Sequence, residues 1–248
     1  MSAAPLLSII VVCRNPGPVL PAALSSVWAQ TAATFEVIVI DGGSTDGTPA
    51  WLETQRSRLG AYLSEPDGGV YDAMNKGVAL ARGEWILFLG ADDRFAADGV
   101  LAEAGRWLAR TDAGVAAGEI AYTDGRVYRM RSRVNPLARN FVHHQGAFYR
   151  RQLFAEQGAF DPSLAVMADY EMNLRLWKRR VAFKPIPLRI AVCGAGGLSD
   201  GGAWRVYREE IAVRHRYYSP LRCLGWDALS LVRFCRKKAV RCLARPHG

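Results

Sequence analysis

The chain has 248 residues, 50% of them hydrophobic, which suits one large domain with a sizeable core and argues against a mainly disordered protein. Its five cysteines form no C-x-x-C pair, which argues against a disulfide framework or a zinc site and fits a reducing compartment, with all five acting as small apolar side chains. Most of the net charge of +9 lies in residues 203–248, which hold 11 Lys and Arg against three acidic residues.

The first part of the chain alternates between two kinds of segment. Buried strands are predicted from continuous apolar, β-branched runs at 7–13, 35–40 and 85–89, with a short strand near Tyr62. Helices are predicted between them at 22–30, from Thr45 or Asp46 as N-cap to about Arg58, and at 70–83. The start of the chain lacks a basic region and reads directly as a strand, so no secretory signal is predicted.

This alternation predicts an α/β fold with a mainly parallel central sheet and flanking helices. In such sheets ligands bind beyond the carboxyl ends of the strands. Three polar turns, DGGSTDGT, EPDGG and GADDR, each follow a predicted strand. We therefore expect these turns to converge on one edge of the sheet and to carry the chemistry.

The rest of the chain is less regular. The pattern predicts a hairpin at 114–131 that turns at TDGR, then a loop, strand and helix start within 135–154. An amphipathic helix is predicted at 167–180, a late strand at 181–192, and a glycine-rich loop at 191–202 that is either a lid or a plain surface loop. From Ala203 onward the tail is predicted to be helical with a break near YSP, giving a domain at 1–200 and a tail at 203–248.

A dinucleotide-binding domain is the obvious alternative for an α/β start, but the motifs argue against it. No G-x-G-x-x-G follows the first strand, and no G-x-x-x-x-G-K-[ST] occurs anywhere in the chain. The turn after the first strand, RNPGP, is rich in proline rather than glycine.

Four segments together resemble family 2 glycosyltransferases of the GT-A fold, in particular bacterial enzymes that build O-antigen and exopolysaccharide units. These segments are SIIVVCRN, VIVIDGGSTDGT, SEPDGGVYDAMNKGVALARGEWILFLGADD and ADYEMNLRL. The resemblance covers roughly residues 6–180. It implies an inverting, metal-dependent transferase that moves a sugar from a nucleotide-sugar donor to a saccharide or lipid-linked saccharide.

The resemblance also implies roles for particular residues. It places the following residues at the nucleotide-sugar donor: Asn15, Asp41, Asp67, Lys76, Asp92 and His144. Several of them have a structural alternative. Asp before Gly commonly bonds its own turn, a Pro-Asp-Gly turn accounts for Asp67, and Lys76 reads equally as a solvated lysine. His144, beside His143, is expected near the acceptor or the phosphates, with ordinary packing as the alternative.

Asp92 and Asp93 match the metal motif of the family, usually written D-x-D. Two carboxylates this close repel each other, and a divalent cation, Mg²⁺ or Mn²⁺, resolves that repulsion while bridging the donor's diphosphate. The sequence departs from the family pattern at Gly90, which stands at the first acidic position.

Asp169 matches the family's catalytic aspartate at the start of a helix. A carboxylate there can accept the proton of the attacking acceptor hydroxyl, and a single displacement of this kind inverts the anomeric centre. The alternative is a helix-terminal acid that interacts with the helix dipole. Glu171, the neighbouring acid, would point about 200° away on the same helix.

The tail carries apolar residues at helical spacing with basic residues between them, which is typical of a helix that lies on an anionic membrane surface. A helix packed on the domain with a solvated basic side is the alternative. We therefore expect a cytoplasmic protein that associates peripherally with the inner face of a bacterial membrane. No module or aromatic platform indicates nucleic-acid binding.

Two other functions remain as alternatives to glycosyl transfer. A sugar nucleotidyltransferase would share a similar sheet, but it would be expected to carry a glycine-rich, basic phosphate loop after the first strand, which is absent. A non-catalytic binding protein that keeps the same fold is the other alternative, and Gly90 is its best support.

Overall fold

The computed structural model describes residues 4–31, 34–130, 135–195 and 203–243. The strands in this part are β1 (Leu7–Cys13), β2 (Phe35–Asp41), β3 (Ala61–Ser64), β4 (Trp85–Gly90), β5 (Arg94–Phe95), β6 (Val115–Tyr122), β7 (Val127–Arg129), β8 (Ala147–Arg150) and β9 (Phe183–Cys193). The helices are α1 (Val19–Trp28), α2 (Thr48–Thr54), α3 (Val70–Leu80), α4 (Val100–Leu108), α5 (Gln152–Gln157), α6 (Ala168–Lys178), α7 (Trp204–Tyr217) and α8 (Pro220–Leu243), with short 3₁₀ turns at Arg56–Arg58 and His144–Gly146.

The strands form one mixed sheet in the order β3-β2-β1-β4-β8-β6-β9-β5, and β7 pairs with β6. The first four strands of this order run parallel to one another, as do β6 and β9. Between these two groups β8 runs antiparallel to both β4 and β6. The predicted α/β class, a largely parallel sheet with flanking helices and helices at the C-terminus, is confirmed.

Both faces of the sheet are covered, which explains why its central strands read as continuous apolar runs. In β1 every residue is buried, and successive side chains point to opposite faces. Ile10 and Val12 pack in one core with residues of α3, α5 and α6, whereas Ile9 and Val11 pack in another with residues of α1, α2 and α4.

Several predicted boundaries need correction. Helix α1 begins at Val19 rather than at residue 22, because Pro18 stands at the N-cap and Pro21 falls in the first turn, where a missing N–H costs nothing. The predicted helix at 45–58 is two elements, α2 and a 3₁₀ turn. Its N-cap is Gly47 rather than Thr45 or Asp46, although Asp46 accepts a hydrogen bond from the backbone N–H of Thr48 at 3.2 Å.

Other boundaries differ late in the chain. The first three residues of the predicted loop at 191–202 belong to β9, which pairs with β6 as far as Cys193, and residues 196–202 lie outside the described residues. Strand β5 and helix α4 were not predicted, although Val100, Leu101, Ala104 and Leu108 have helical spacing and are buried.

Of the cysteines, Cys13, Cys193 and Cys223 are buried and free as expected, whereas Cys235 is exposed.

The two C-terminal helices have different environments. The predicted break at YSP is confirmed, since α7 ends at Tyr217 and α8 begins at Pro220. Helix α7 is anchored on the sheet domain because Val213 enters its core. Arg214, fully buried, donates to Leu137 O at 3.1 Å and to the Ser230 hydroxyl at 2.6 Å, and so joins both helices to the domain. No described helix is long and apolar enough to cross a membrane.

One buried carboxylate ties the amino ends of three central strands together. Glu36 in β2 accepts hydrogen bonds from the Ser8 hydroxyl at 2.7 Å and from the backbone N–H groups of Arg82 and Gly83 at 2.6 and 3.2 Å. The Arg82 guanidinium lies 2.8 Å from the same side chain. Burial alone would raise the pKa of Glu36, but these donors outweigh burial and hold the pKa below its usual range.

We expect Glu36→Gln to lower the free energy of unfolding by about 1–3 kcal/mol at pH 7, because an amide cannot accept all of these hydrogen bonds. The folded-state pKa is depressed, so the contribution of Glu36 is complete above the unfolded-state pKa of about 4.3 and is lost as the pH falls through the folded-state pKa. Urea titrations across this range should show the two proteins converging in acid. The exposed Glu53→Gln is the matched control, and equal stability of both variants at pH 7 would contradict the assignment.

Candidate active site

Parallel pairing brings the carboxyl ends of β1, β2 and β4 to one edge of the sheet. Cys13 is opposite Asp41, and Val12 is opposite Gly90. β3 also pairs in parallel with β2, with Asp41 opposite Ser64. The three polar turns after β2, β3 and β4 therefore follow strand ends at the same edge, as the sequence predicted. Burial and the neighbouring charge of Asp41 raise the pKa of the Cys13 thiol to about 12, so this thiol is neutral at the edge.

Asp41 is fully buried and holds the turn after β2. Its carboxylate accepts hydrogen bonds from the backbone N–H and hydroxyl of Ser44, and from the Ser64 hydroxyl at 2.6 Å. Asn15 joins this turn to the one after β1, because its side-chain oxygen accepts from Thr45 N at 2.7 Å. Both residues are thus engaged inside the protein, and their contact with a donor remains a prediction.

Asp67 and Lys76 lie apart from the main cavity. Asp67 accepts from the Gly69 N–H at 2.9 Å and packs against Gly42, where an added Cβ would lie 2.3 Å from a carboxylate oxygen. Lys76 lies 2.8 Å from the Glu65 carboxylate and donates to a backbone carbonyl. Both side chains thus contact other protein groups and do not line the cavity. Their contact with a donor remains a prediction.

A cavity of about 240 Å³ lies at the carboxyl edge, between the end of β4 and the start of α6. It brings together Asp92, Asp93, His144 and Asp169, four of the residues that the sequence singled out. Its walls are largely aromatic and apolar, and they include Val12, Tyr71, Met74, Tyr122, Tyr128, His143 and Met167.

The two aspartates after β4 have different environments. Asp93 is 2% exposed and accepts from the backbone N–H of Gly90 at 2.7 Å and of Gly194 at 3.3 Å. Burial, together with the charge of Asp92, raises the pKa of Asp93, against the opposing effect of the Gly90 N–H. Asp92 is exposed at the cavity, and among the described residues it has neither a hydrogen-bond donor nor a cationic partner.

This arrangement fits a divalent cation. The described residues contain no group of three His, Cys, Asp or Glu side chains that could hold a metal by themselves. Mg²⁺ commonly takes only one or two carboxylates and completes its shell with phosphates and water. Asp92, with Asp93 behind it, supplies such a partial set, and the unpartnered charge of Asp92 would be offset by the cation.

Two glycines let the backbone approach these carboxylates. A Cβ on Gly194 would lie 2.0 Å from an Asp92 oxygen, and a Cβ on Gly90 would lie 2.9 Å from an Asp93 oxygen. Gly90 stands at the first acidic position of the family's D-x-D motif. Its N–H donates to Asp93, and its lack of a side chain leaves room for the Asp93 carboxylate. Any side chain at residue 90 would require Asp93 to move.

Asp169 also lines the cavity, in the first turn of α6, and is 5% exposed. One oxygen accepts from Tyr170 N at 2.8 Å and lies 3.2 Å from the Tyr71 hydroxyl. The other accepts from Asn140 Nδ2 at 2.9 Å and lies 3.1 Å from His144 Nδ1. Burial alone would raise the pKa of Asp169, but the hydrogen bond and charge of His144 lead the effects that hold it below its usual range.

Neighbouring side chains of α6 and the histidine pair have other roles. Glu171 packs on the far side of the helix, where it accepts from the Tyr217 hydroxyl and lies 3.1 Å from Arg175. This agrees with the predicted offset from Asp169. His143 Nε2 lies 2.8 Å from the Tyr122 hydroxyl, so only His144 of the pair contacts Asp169.

The sequence did not single out the residues that support Asp169. Glu209 of α7 accepts hydrogen bonds from the backbone N–H groups of Ala165, Val166 and Met167 at 3.2, 2.9 and 3.1 Å and so fixes the approach to α6. Asn140 reaches Asp169 from an irregular segment. No local pattern signals such contacts, because the partners lie 29 to 44 residues apart in the chain.

Comparisons with known proteins agree with this geometry. The family profile described as Glycosyl transferase family 2 matches residues 8–174. A PGL/p-HBAD biosynthesis glycosyltransferase from Mycobacterium bovis is 38% identical over 183 residues, covering 70% of each chain. The succinoglycan biosynthesis protein ExoO from Rhizobium meliloti is 31% identical over 67% of this chain and 54% of its own length.

Solved structures show the same fold. S. aureus TarS 1–349 in complex with UDP-GlcNAc matches with a TM-score of 0.70 at 19% identity, over 91% of this chain and 71% of that one. The mannosyltransferase PcManGT from Pyrobaculum calidifontis, in complex with GDP-Man and Mn²⁺, matches with a TM-score of 0.68 at 24% identity, over 99% and 77%. With its sheet, its cavity and a profile match over most of its length, the chain belongs to glycosyl transferase family 2.

Proposed function

We propose that this glycosyltransferase is inverting and metal-dependent, and that it moves a sugar from a nucleotide-sugar donor to a saccharide or lipid-linked saccharide during synthesis of a cell-surface polysaccharide or glycolipid. One observation carries the proposal. A single cavity is lined both by the unpartnered carboxylate of Asp92 and by the Asp169–His144 pair. These are the two chemical functions that a direct displacement at an anomeric carbon requires.

The Asp92 side suits the diphosphate of the donor. Asp92 and Asp93 would hold Mg²⁺ or Mn²⁺, and a cation there supplies positive charge that offsets the charge of a departing nucleoside diphosphate. The support is the exposed, unpartnered carboxylate of Asp92 and the close backbone approach at Gly194. The structural neighbours named above were solved with UDP-GlcNAc, or with GDP-Man and Mn²⁺, which makes both nucleotides candidates here.

The Asp169 side suits the acceptor hydroxyl. An acceptor that enters between the aromatic walls would present its hydroxyl to this side and attack the anomeric carbon from the face opposite the diphosphate. The proton leaves toward the Asp169–His144 pair as the new bond forms. One such displacement inverts the anomeric configuration.

The outward face of α8 supports a further part of the proposal, attachment to an anionic membrane. Cys223 and Ser230 are fully buried on the side that packs toward α7. At about 100° per residue, Leu221 and Val232 fall on the opposite side, and Leu224 falls about 110° from the buried side, at the edge of the outward face. Leu221, Leu224 and Val232 expose 86%, 67% and 61% of their surfaces.

Positive charges flank this apolar face, which argues for a lipid surface rather than a second copy of the chain. Arg222 and Arg236 lie on one flank and Lys238 on the other, and all three are exposed. Two copies meeting through this face would bring like charges together, whereas anionic head groups would neutralise them. We propose that α8 holds the enzyme at the inner face of the membrane, where a lipid-linked acceptor is found.

A panel of nucleotide sugars tests the donor and the metal together. Melting temperatures should rise with UDP-GlcNAc or GDP-Man in Mn²⁺ and rise less in EDTA, because a ligand that binds only the folded state stabilises it. Asp92→Asn should remove most of the Mn²⁺-dependent shift and lower transfer by ~10²-fold or more, since several kcal/mol of charge stabilisation are lost. Asp98→Asn, an exposed acid outside the cavity lining, is the matched control. Full activity of Asp92→Asn in EDTA would overturn the metal assignment.

The membrane proposal is tested by substituting the exposed apolar residues of the outward face of α8. Leu221, Leu224 and Val232 changed together to Ser should weaken binding to phosphatidylglycerol vesicles at least about tenfold, because burial of each apolar side chain is worth about 1.5–3 kcal/mol. High salt should also weaken binding, since it screens the flanking cations. Leu80→Ser with Val127→Ser, which alters exposed apolar residues elsewhere, should leave binding unchanged. Equal binding of both variants, or dimerisation that the α8 variant abolishes, would contradict attachment through this face.

A further inference from the structure

The start of α6, the helix that carries Asp169, has no side-chain cap of its own. Met167 stands at the N-cap and makes no side-chain cap hydrogen bond. Residues 165–167, which lead into the helix, are irregular and also line the cavity. Since the first N–H groups of a helix and of the turn before it need partners, this backbone depends on contacts from elsewhere in the fold.

A carboxylate from α7 supplies these contacts. Glu209 Oε2 accepts from the backbone N–H groups of Val166 and Met167 at 2.9 and 3.1 Å, and Oε1 accepts from the Ala165 N–H at 3.2 Å. Arg205 Nε also donates to Oε1, at 2.9 Å. Each oxygen of this buried side chain thus faces two donors from the described residues.

The negative charge of Glu209 suits this position. Burial alone would raise the pKa of Glu209, but hydrogen bonds led by that of the Val166 N–H hold it below its usual range. An ionised carboxylate has acceptor sites only, so it can face several N–H groups at once. A neutral amide of the same shape would turn an NH₂ group toward donors on one side.

The peptide of Val166 connects this carboxylate to Asp169. Its N–H donates to Glu209, and its carbonyl accepts from the Tyr71 hydroxyl at 2.8 Å. The same hydroxyl lies 3.2 Å from Asp169 Oδ1. Asp169 itself follows three residues later, in the first turn of α6. A shift of this peptide would therefore move both Asp169 and the wall of the cavity.

We propose that Glu209 is a positioning residue, which holds Asp169 where it can take the proton of the acceptor hydroxyl. The inference rests on the proposed transferase function, in which Asp169 receives that proton. It extends the residues on which turnover depends into α7, beyond the range 8–174 that the family profile matches. Helix α7 can carry this role because Val213 and Arg214 fix it on the sheet domain.

The next residue, Glu210, offers a matched control on the same helix. It is also buried, but it faces α8, where it accepts from the Ser230 hydroxyl at 3.0 Å and lies 2.8 Å from Arg233. Its contacts thus join α7 to α8 and leave residues 165–167 to Glu209. Loss of either carboxylate should disturb the C-terminal helices, but only loss of Glu209 frees the start of α6.

Turnover separates positioning from stability. Glu209→Gln and Glu210→Gln should both unfold at lower urea, whereas only Glu209→Gln should lower kcat, by about 10- to 100-fold, because a small displacement of a catalytic group can cost ~10²-fold. The dissociation constant for UDP or GDP with Mn²⁺ should stay within about twofold in both variants, since the change acts on turnover rather than on nucleotide binding. Glu209→Asp keeps the charge and is the milder variant, and its kcat should lie between those of wild type and Glu209→Gln.

Hydrogen exchange gives a readout that needs no substrate. The amides of residues 165–167 should be protected in wild type and in Glu210→Gln. In Glu209→Gln they should exchange at least about tenfold faster, because their hydrogen bonds to the carboxylate are lost. Unprotected amides in wild type, or equal protection in both variants, would overturn the proposal.

The outcomes also distinguish this proposal from the proposed function. If wild type transfers sugar and both Glu209 variants keep kcat within about threefold, Glu209 stabilises the fold without positioning Asp169. An equal loss of kcat in Glu210→Gln, or a loss of nucleotide affinity as large as the loss of kcat, would overturn the proposal as well. If wild type transfers sugar from no donor of the panel, the transferase proposal fails, and the positioning role fails with it even where the amides are protected.

Discussion

The hydrogen bonds that converge on the carboxylate of Asp169 are the constraint on which the cavity depends. They join Tyr71 from α3, Asn140 and His144 from the segment between β7 and β8, and the first turn of α6. A buried carboxylate with fewer donors would be costly, because the desolvation of its charge must be offset by hydrogen bonds or opposite charge. These contacts with Asp169 therefore fix one wall of the cavity and the orientation of the His144 imidazole.

The part of the cavity at the ends of the strands depends on strand pairing instead. Because β1, β2 and β4 are parallel and in register, strand pairing alone brings the turns that follow them to one edge of the sheet. Most carboxylates of these turns serve the turns themselves, as Asp41 does with Ser44 and Ser64. Asp92 differs because its charge has no partner in the described protein, and this is why we propose that the cation and the diphosphate bind there.

Local patterns predicted much of the fold and half of the site. The continuous apolar runs of β1, β2 and β4 and the polar turns after them follow from burial on both faces and from strand direction, so the sheet edge and Asp92 could be located from sequence. The resemblance located Asp169 but not its environment. The contacts of Asn140 and Glu209 depend on how distant segments pack, which a sequence pattern does not show.

The same limit applies to Lys76 and to α8. Contact of Lys76 with the diphosphate stays a prediction, and the sequence did not show that Glu65, the residue after β3, is close enough to pair with it. The apolar residues of α8 were visible in the sequence. Only packing distinguishes its two sides, because α7 covers Cys223 and Ser230 and leaves Leu221 and Leu224 exposed.

We propose that one cavity holds a nucleotide diphosphate at Asp92 and presents Asp169 to the acceptor hydroxyl. A crystal structure of the enzyme with UDP and Mn²⁺, or with GDP and Mn²⁺, tests it most directly. We expect Mn²⁺ bonded to Asp92 and to the diphosphate, with Asp169 facing the space where the sugar and the acceptor meet. A structure in which Asp169 binds the metal or a phosphate oxygen, or in which the nucleotide lies outside this cavity, would contradict this proposal.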